Sequence, residues 1–269
     1  MNKGGQTEGE RGVVEAFIKH FGDRGEALRA LREYRVEAKK AASEPTTPVL
    51  IDINNLSKTY KLHKQKVAAL NNVSLKIHEG EFIAITGPSG SGKSTLLQLM
   101  GGLDKPSAGS ININGTDINK LRDGKLSEFR NKTIGFVFQF FYLQPFLSLA
   151  TNIEVPAMFA HSKKADRKDE SLKLIDEVGL TERAKHLPKE LSGGQMQRAA
   201  IARAMMNKPK IILADEPTGN LDSKNGAGII DIFENIRKEF GTTIVIVTHD
   251  SSIAARADRE IAMSDGAIV

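Results

Sequence analysis

The chain has 269 residues, 40% hydrophobic and 26% charged, and a formal net charge of +5 from 38 basic and 33 acidic side chains. It contains no cysteine, which excludes a disulfide framework and any cysteine-based metal centre. No run approaches the roughly 20 apolar residues of a membrane span, and the opening MNKGGQTEGERG has no apolar secretory core. The chain is therefore expected to be cytoplasmic, with no transmembrane segment of its own. The mild basicity fits an anionic membrane surface or nucleic acid and demands neither.

Residues 1–48 read as a helical extension and linker. Val13, Val14, Phe17, Ile18 and Phe21 recur at helical spacing, and EALRALREYRVEAKKAA follows as a charged helix. SEPTTP then punctuates the chain. A locally packed tail and a docking or regulatory hairpin both fit, the tail being the simpler reading. From Val49 the texture changes. VLIDINNL alternates as a strand, and SLKIHEGEFIAITG predicts a strand, a turn at Glu79–Gly80 and a buried strand over Phe82–Thr86. TIGFVFQ, KIILADEP and TTIVIVTHD supply further apolar strands, with helices over Ser94–Gly102 and Gly226–Phe240 between them. Apolar strands alternating with helices predict a mostly parallel, doubly covered sheet. Residues about 140–191 read as an inserted helical subdomain, and Asp265-Gly266 as a hairpin turn.

Gly87-Pro-Ser-Gly-Ser-Gly-Lys-Ser94 fits the phosphate-loop pattern, after a strand and before a helix. Gly87, Gly90 and Gly92 let backbone N–H groups turn inward, around Pro88, Ser89 and Ser91. The helix N-terminus at Lys93, Ser94 and Thr95 completes an anion cradle. Lys93 would reach the β- and γ-phosphates, and Ser94 would ligate Mg²⁺. IILADEP places two carboxylates at a strand end, where ligands of such sheets collect. Asp215 suits Mg²⁺ and Glu216 suits a general base. His249 and Gln139 end other strands. Taken alone each could be structural, but the imidazole could contact a γ-phosphate and the amide could sense Mg²⁺ or water.

Together these motifs resemble an ATP-binding cassette ATPase over Val49 to the C-terminus. The phosphate loop, a glutamine loop at Gln139, the signature LSGGQ, the IILADEP carboxylates, the contact loop GNLD and the switch histidine His249 follow the family's order. The resemblance implies a P-loop NTPase α/β fold with a mostly parallel core sheet, an antiparallel β subdomain and the helical insert. It implies ATP and Mg²⁺ as ligands, and Tyr60 as the ring stacked on adenine. It further implies a head-to-tail homodimer, in which Ser192, Gly193, Gly194 and Gln195 of one copy, and its Asp222, complete the nucleotide site of the other. Magnesium would be held by Ser94, Gln139 and Asp215.

Within the family, GGLDKPSAG, LSGGQMQRAAIARA and LADEPTGNLDS are similar to the macrolide-exporter, lipoprotein-release and cell-division branch. That branch implies an integral membrane permease partner at the inner face of the cell membrane, and export, lipoprotein release or force transmission as the outcome. A regulatory role through a membrane or cell-wall partner uses the same machine. A ribosome- or DNA-associated cassette usually carries two cassettes or a long coiled coil, so no direct nucleic-acid partner is expected. Residues 1–48 are not part of the usual cassette. Ala150-Thr151 stands where the branch usually carries a Glu before the Asn, in the region that receives the permease.

Overall fold

The structure, a computed structural model, describes residues 47–62 and 65–269. The helices expected in residues 1–46 lie outside the described residues. Contacts divide the chain into Met1–Pro48 and Val49–Val269. In the second unit, two long strands, β1 (Val49–Leu62) and β2 (Gln65–His78), pair antiparallel. β4 (Ala108–Ile113) adds to the other edge of β1, and the short β5 (Thr116–Asp117) follows it. Inward residues such as Ile51, Ile53, Ile77, Ile111 and Ile113 are fully buried against the first helix layer.

A six-stranded sheet forms the centre, in the order β10-β9-β3-β8-β7-β6. β3 (Phe82–Thr86), β6 (Ile134–Phe138), β7 (Ile211–Asp215), β8 (Thr243–Val247) and β9 (Arg259–Ser264) run parallel. Only β10 (Ala267–Ile268) is antiparallel, after the Asp265-Gly266 turn. All five residues of β8 are buried, as a strand covered on both faces requires. Register then decides where the chemistry goes. Phe138 pairs with Asp215, Asp215 with Val247, and Val247 with Ile85. Gln139, Glu216, Thr248 and Thr86 therefore leave the sheet in one row, along its carboxyl edge.

Helix α1 (Lys93–Met100) follows β3, and α2 (Asp123–Thr133) precedes β6. The sequence expectation did not include α2, β4 or β5. Only Leu126 of α2 is buried, so its apolar stripe is too thin to read by periodicity. The segment after β6 is helical: α3 (Leu149–Phe159), α4 (Lys164–Glu177), two short 3₁₀ turns, and α5 (Gly193–Met205). α6 (Ser223–Phe240) begins three residues before the stretch expected from periodicity, and α7 (Ser251–Ala254) is a single turn. Among the described residues no helix is long and apolar enough to cross a membrane.

Candidate functional site

The loop from β3 to α1 is shaped by close backbone contacts. Gly87 has φ +138° and Gly92 φ +99°, values that favour glycine. A Cβ on Gly87 would collide with the Met263 carbonyl, and one on Gly92 with the Ala69 carbonyl. The loop is thus clamped between β9 and β2, curled toward α1. Lys93 Nζ donates to the Gly87 and Pro88 carbonyls, each at 2.8 Å. The Ser91 hydroxyl is buried with no partner among the described residues. A basic side chain, an unspent hydroxyl and a helix N-terminus in one curl suit a phosphate chain.

Beside it, Ser94 Oγ donates to Asp215 Oδ1 at 3.0 Å. Burial pushes the Asp215 carboxyl above the usual range and the neighbouring Glu216 charge adds to this, while the Ser94 hydrogen bond and Lys93 oppose it. A hydroxyl and a carboxylate are hard oxygen donors, which fits magnesium. Among the described residues no group of three or more His, Asp or Glu side chains could hold a metal ion. An ion here would draw its remaining ligands from phosphate and water, as magnesium commonly does.

Glu216 is the strained residue of the site. Its φ is +46°, costly for a side chain with a Cβ. Its N–H donates to the Val247 carbonyl at 2.9 Å, which fixes the turn to the end of β8. The turn aims Oε2 at His249 Nδ1, 2.9 Å away. His249 itself is open, with 71% of its side chain exposed. The two residues that sequence reading assigned separately are therefore in direct contact, a carboxylate against an imidazole, an arrangement that suits a base and a group that orients it. Gln139 lies on the other side of this turn. Its amide donates to Asn220 Oδ1 at 3.4 Å, and Asn220 Nδ2 returns a bond to the Gln139 carbonyl at 2.8 Å. A Cβ on Gly219 would stand 2.9 Å from Gln139 Nε2 and 3.3 Å from Glu216 Oε2. Gln139, Glu216 and the GNLD loop thus share one small space.

Tyr60 belongs to a second cluster. Its hydroxyl donates to Asp104 Oδ2 at 2.9 Å, and Lys58 Nζ sits 4.8 Å from its ring centroid. Burial and the Asp104 carboxylate push the phenol up, against a hydrogen bond with Thr95 on α1. Burial alone would raise Asp104, but bonds from Lys58, the Lys105 N–H and Tyr60 outweigh it and leave the carboxyl below its ordinary range. The cluster fixes the ring beside the first turn of α1. Lys58 and Asp104 were not foreseen as part of this arrangement.

The signature segment opens α5. Ser192 Oγ accepts from the Gln195 N–H at 3.3 Å, and Gln195 Oε1 accepts from the Ser192 N–H at 2.9 Å, a capping box. This leaves Ser192 exposed at the helix N-terminus. Gly193 is packed so that a Cβ would touch Leu221 at 3.4 Å and Phe141 at 3.8 Å. The buried Gln197, one turn on, donates to the Pro217 carbonyl at 2.7 Å. The signature is thereby tied to the Glu216 turn of its own chain. Asp222 is exposed and its carbonyl accepts from the Gly226 N–H at 2.8 Å, opening α6.

Two side chains missed by sequence reading hold the loop after Gln139. Arg203, on α5, donates to the Tyr142 carbonyl at 2.6 Å and the Phe141 carbonyl at 2.9 Å. Asn152, 1% exposed, accepts from the Gln144 N–H at 2.7 Å and donates to three carbonyls. Held this way, the loop presents Phe140, Tyr142 and Phe146 to solvent, with Phe159 of α3 also exposed.

The family model described as "ABC transporter" matches residues 70–219, spanning the phosphate loop, the signature and the Asp215–Glu216 pair. The chain belongs to the ABC transporter family. The cassette is 44% identical over 218 residues to the lipoprotein-releasing system ATP-binding protein LolD of Shewanella sp. (strain MR-4), covering 81% of this chain and 94% of LolD. It is 46% identical over 224 residues to the macrolide export ATP-binding/permease protein MacB of Rhodospirillum rubrum, covering 83% of this chain but 34% of MacB. It superposes on the cassette MJ0796, solved as a dimer in a post-hydrolysis state bound to ADP and Pi, with a TM-score of 0.76 and 44% identity over 81% of this chain and 96% of that one. The cassette is an ATP-binding, ATP-hydrolysing subunit with the P-loop α/β fold.

Proposed function

We propose that two copies of the cassette close head to tail on ATP and drive a separate integral membrane permease. The observation that carries this is the exposed capping box at Ser192. The segment is structurally finished yet presents its helix N-terminus and hydroxyl to solvent, as half of an anion site would. Phosphate oxygens sit in the Gly87–Thr95 curl, with Lys93 leaving the Gly87 and Pro88 carbonyls to meet them. Tyr60 stacks on adenine with the ring face away from Lys58. Ser192, Gly193, Gly194 and Gln195 of the second copy, with its Asp222, close over the γ-phosphate.

Glu216 takes the proton of a water that attacks the γ-phosphorus as the bond to ADP breaks. His249 holds the Glu216 carboxylate in line through the contact at Oε2. Ser94, Asp215 and Gln139 would hold magnesium, which would supply positive charge against the phosphate oxygens. The exposed aromatics at Phe140, Tyr142, Phe146 and Phe159 receive the permease, which places the cassette at the inner face of the cell membrane. The likeness to LolD and MacB supports lipoprotein release, export or force transmission as the work done. A regulatory cassette acting through a membrane or cell-wall partner is the alternative.

The test is Glu216→Gln examined by sedimentation with ATP and Mg²⁺. The variant should lose about 10²- to 10⁴-fold in turnover, the usual contribution of a positioned base, and accumulate as an ATP-held dimer. A variant that turns over like the parent, or that stays monomeric with ATP, would count against the proposal.

A further inference from the structure

Opposite the ligand edge, the C-terminal halves of α4, α5 and α6 enclose a groove of about 380 Å³. Its floor is apolar: Leu174, Val178, Ile201, Met205 and Ile236 are nearly or fully buried. This is the size range of small-molecule sites. Its charged lining is two carboxylates and one ammonium, Lys238. The carboxylates are Glu177 and Glu239, and neither forms a hydrogen bond or ion pair among the described residues. The nearby cations point elsewhere: Lys208 Nζ pairs with Glu170 at 3.0 Å, and Lys238 Nζ lies 3.9 Å from Glu234. Burial raises the Glu177 carboxyl above its ordinary range, and the charges of Glu239 and Glu170 raise it further, against the opposing charge of Lys208. Two exposed carboxylates without an ion-pair partner, at the rim of an apolar floor, offer an amine its counter-charge where the floor takes up an apolar body.

We propose that this groove binds a small amphipathic cation, an aromatic or branched-alkyl body bearing one protonated amine, with the body on the apolar floor and the amine at Glu177 and Glu239. The groove also has a route to the ATP site. α5 begins at Ser192 and α6 begins just after Asp222, while the far ends of both helices line the groove. An occupant that wedges those ends shifts the helices that carry the signature and the contact loop, so the site is regulatory.

The probes are 4-phenylbutylamine, its neutral analogue 4-phenylbutan-1-ol and the anion 4-phenylbutyrate, titrated calorimetrically into the full chain. The amine should bind about tenfold more tightly than the alcohol, the ratio of one charge-assisted contact, and the anion should not bind. The exposed double variant Glu177→Gln/Glu239→Gln should lose that preference. Ala202→Trp, which fills the groove, should abolish binding of amine and alcohol alike. ATP turnover at saturating ATP should change with the amine in the parent and stay constant in the double variant. Equal affinity for amine and alcohol would overturn the cation site and leave a plain apolar docking face. No binding of the amine, or parent-like titration of the double variant, would overturn it outright. Amine binding with unchanged turnover would overturn the regulatory part.

Discussion

Asn152 is the side chain on which the loop after Gln139 rests, and Asn152→Ala measures how much. Asn152 accepts one hydrogen bond, from Gln144 N–H at 2.7 Å, and its two amide hydrogens are shared at 3.0–3.1 Å among the carbonyls of Gln144, Leu147 and Ser148. These contacts are not equal in consequence. The Gln144 carbonyl keeps a bond from Leu147 N–H at 3.2 Å, and the Ser148 carbonyl keeps one from Asn152 N–H at 2.9 Å. The Gln144 N–H and the Leu147 carbonyl lose the partner that satisfied them. One accepted bond and two donated hydrogens at about 0.5–1 kcal/mol each give a loss of about 2–3 kcal/mol, since the exposed Gln144 and half-buried Leu147 can turn to water. That is a large share of the roughly 5–15 kcal/mol that holds a domain. Asn152→Asp should be worse, since it turns a second oxygen toward three carbonyls. Urea denaturation reads the stability, and chymotrypsin cleavage after Phe140, Tyr142 or Phe146 reads the loop. An alanine variant within about 0.5 kcal/mol of the parent, the scatter of a neutral surface change, with cleavage no faster, would refute the reasoning.

Asp215→Asn tests the metal corner. Because the folded carboxyl is raised, its contribution to stability is present at acid pH and is lost as pH rises through the folded value. The amide should therefore raise the Tm of the nucleotide-free protein at neutral pH, with that advantage shrinking as the pH is lowered through the folded value, and lose the magnesium dependence of turnover. A lower Tm for the nucleotide-free variant at neutral pH would reject the burial argument. Arg203→Lys keeps the charge but not two directed bonds to Phe141 and Tyr142. It should accelerate chymotrypsin cleavage of the aromatic loop while leaving ATP affinity unchanged, and an unaltered cleavage rate would remove Arg203 from its holding role. Gly92→Ala should cost stability and nucleotide affinity together, because its Cβ meets the Ala69 carbonyl at a positive φ; fluorescence titration with a nucleotide analogue at parental affinity would contradict this.

Residues at the ends of apolar runs were legible because a polar group after four or five buried ones has no role in packing. Asp215, Glu216, Gln139 and His249 all carry that mark, and the parallel register brings them to one edge. The phosphate loop was legible through its glycines, although the clamps at Ala69 and Met263 were not. What stayed hidden were side chains bound to distant backbone. Gln197 reaches Pro217 across 20 residues and Arg203 reaches Phe141 across 62. Such bonds leave no period and no spacing rule in the chain. The left-handed turn at Glu216 was hidden too, since a glutamate is a poor advertisement for positive φ. The short, polar α2 and the two-residue β5 fell below what periodicity resolves.

The central claim is that Ser192 serves the nucleotide of another copy. Lys93→Ala and Ser192→Arg proteins should each fail to hydrolyse ATP alone, the first for want of phosphate contacts and the second for want of a signature, while Ser192→Arg monomer still binds ATP. Mixed together, a heterodimer joins the intact phosphate loop of one to the intact signature of the other, and phosphate release should return. A Ser192→Arg protein active on its own, or a mixture as silent as its parts, would contradict the account.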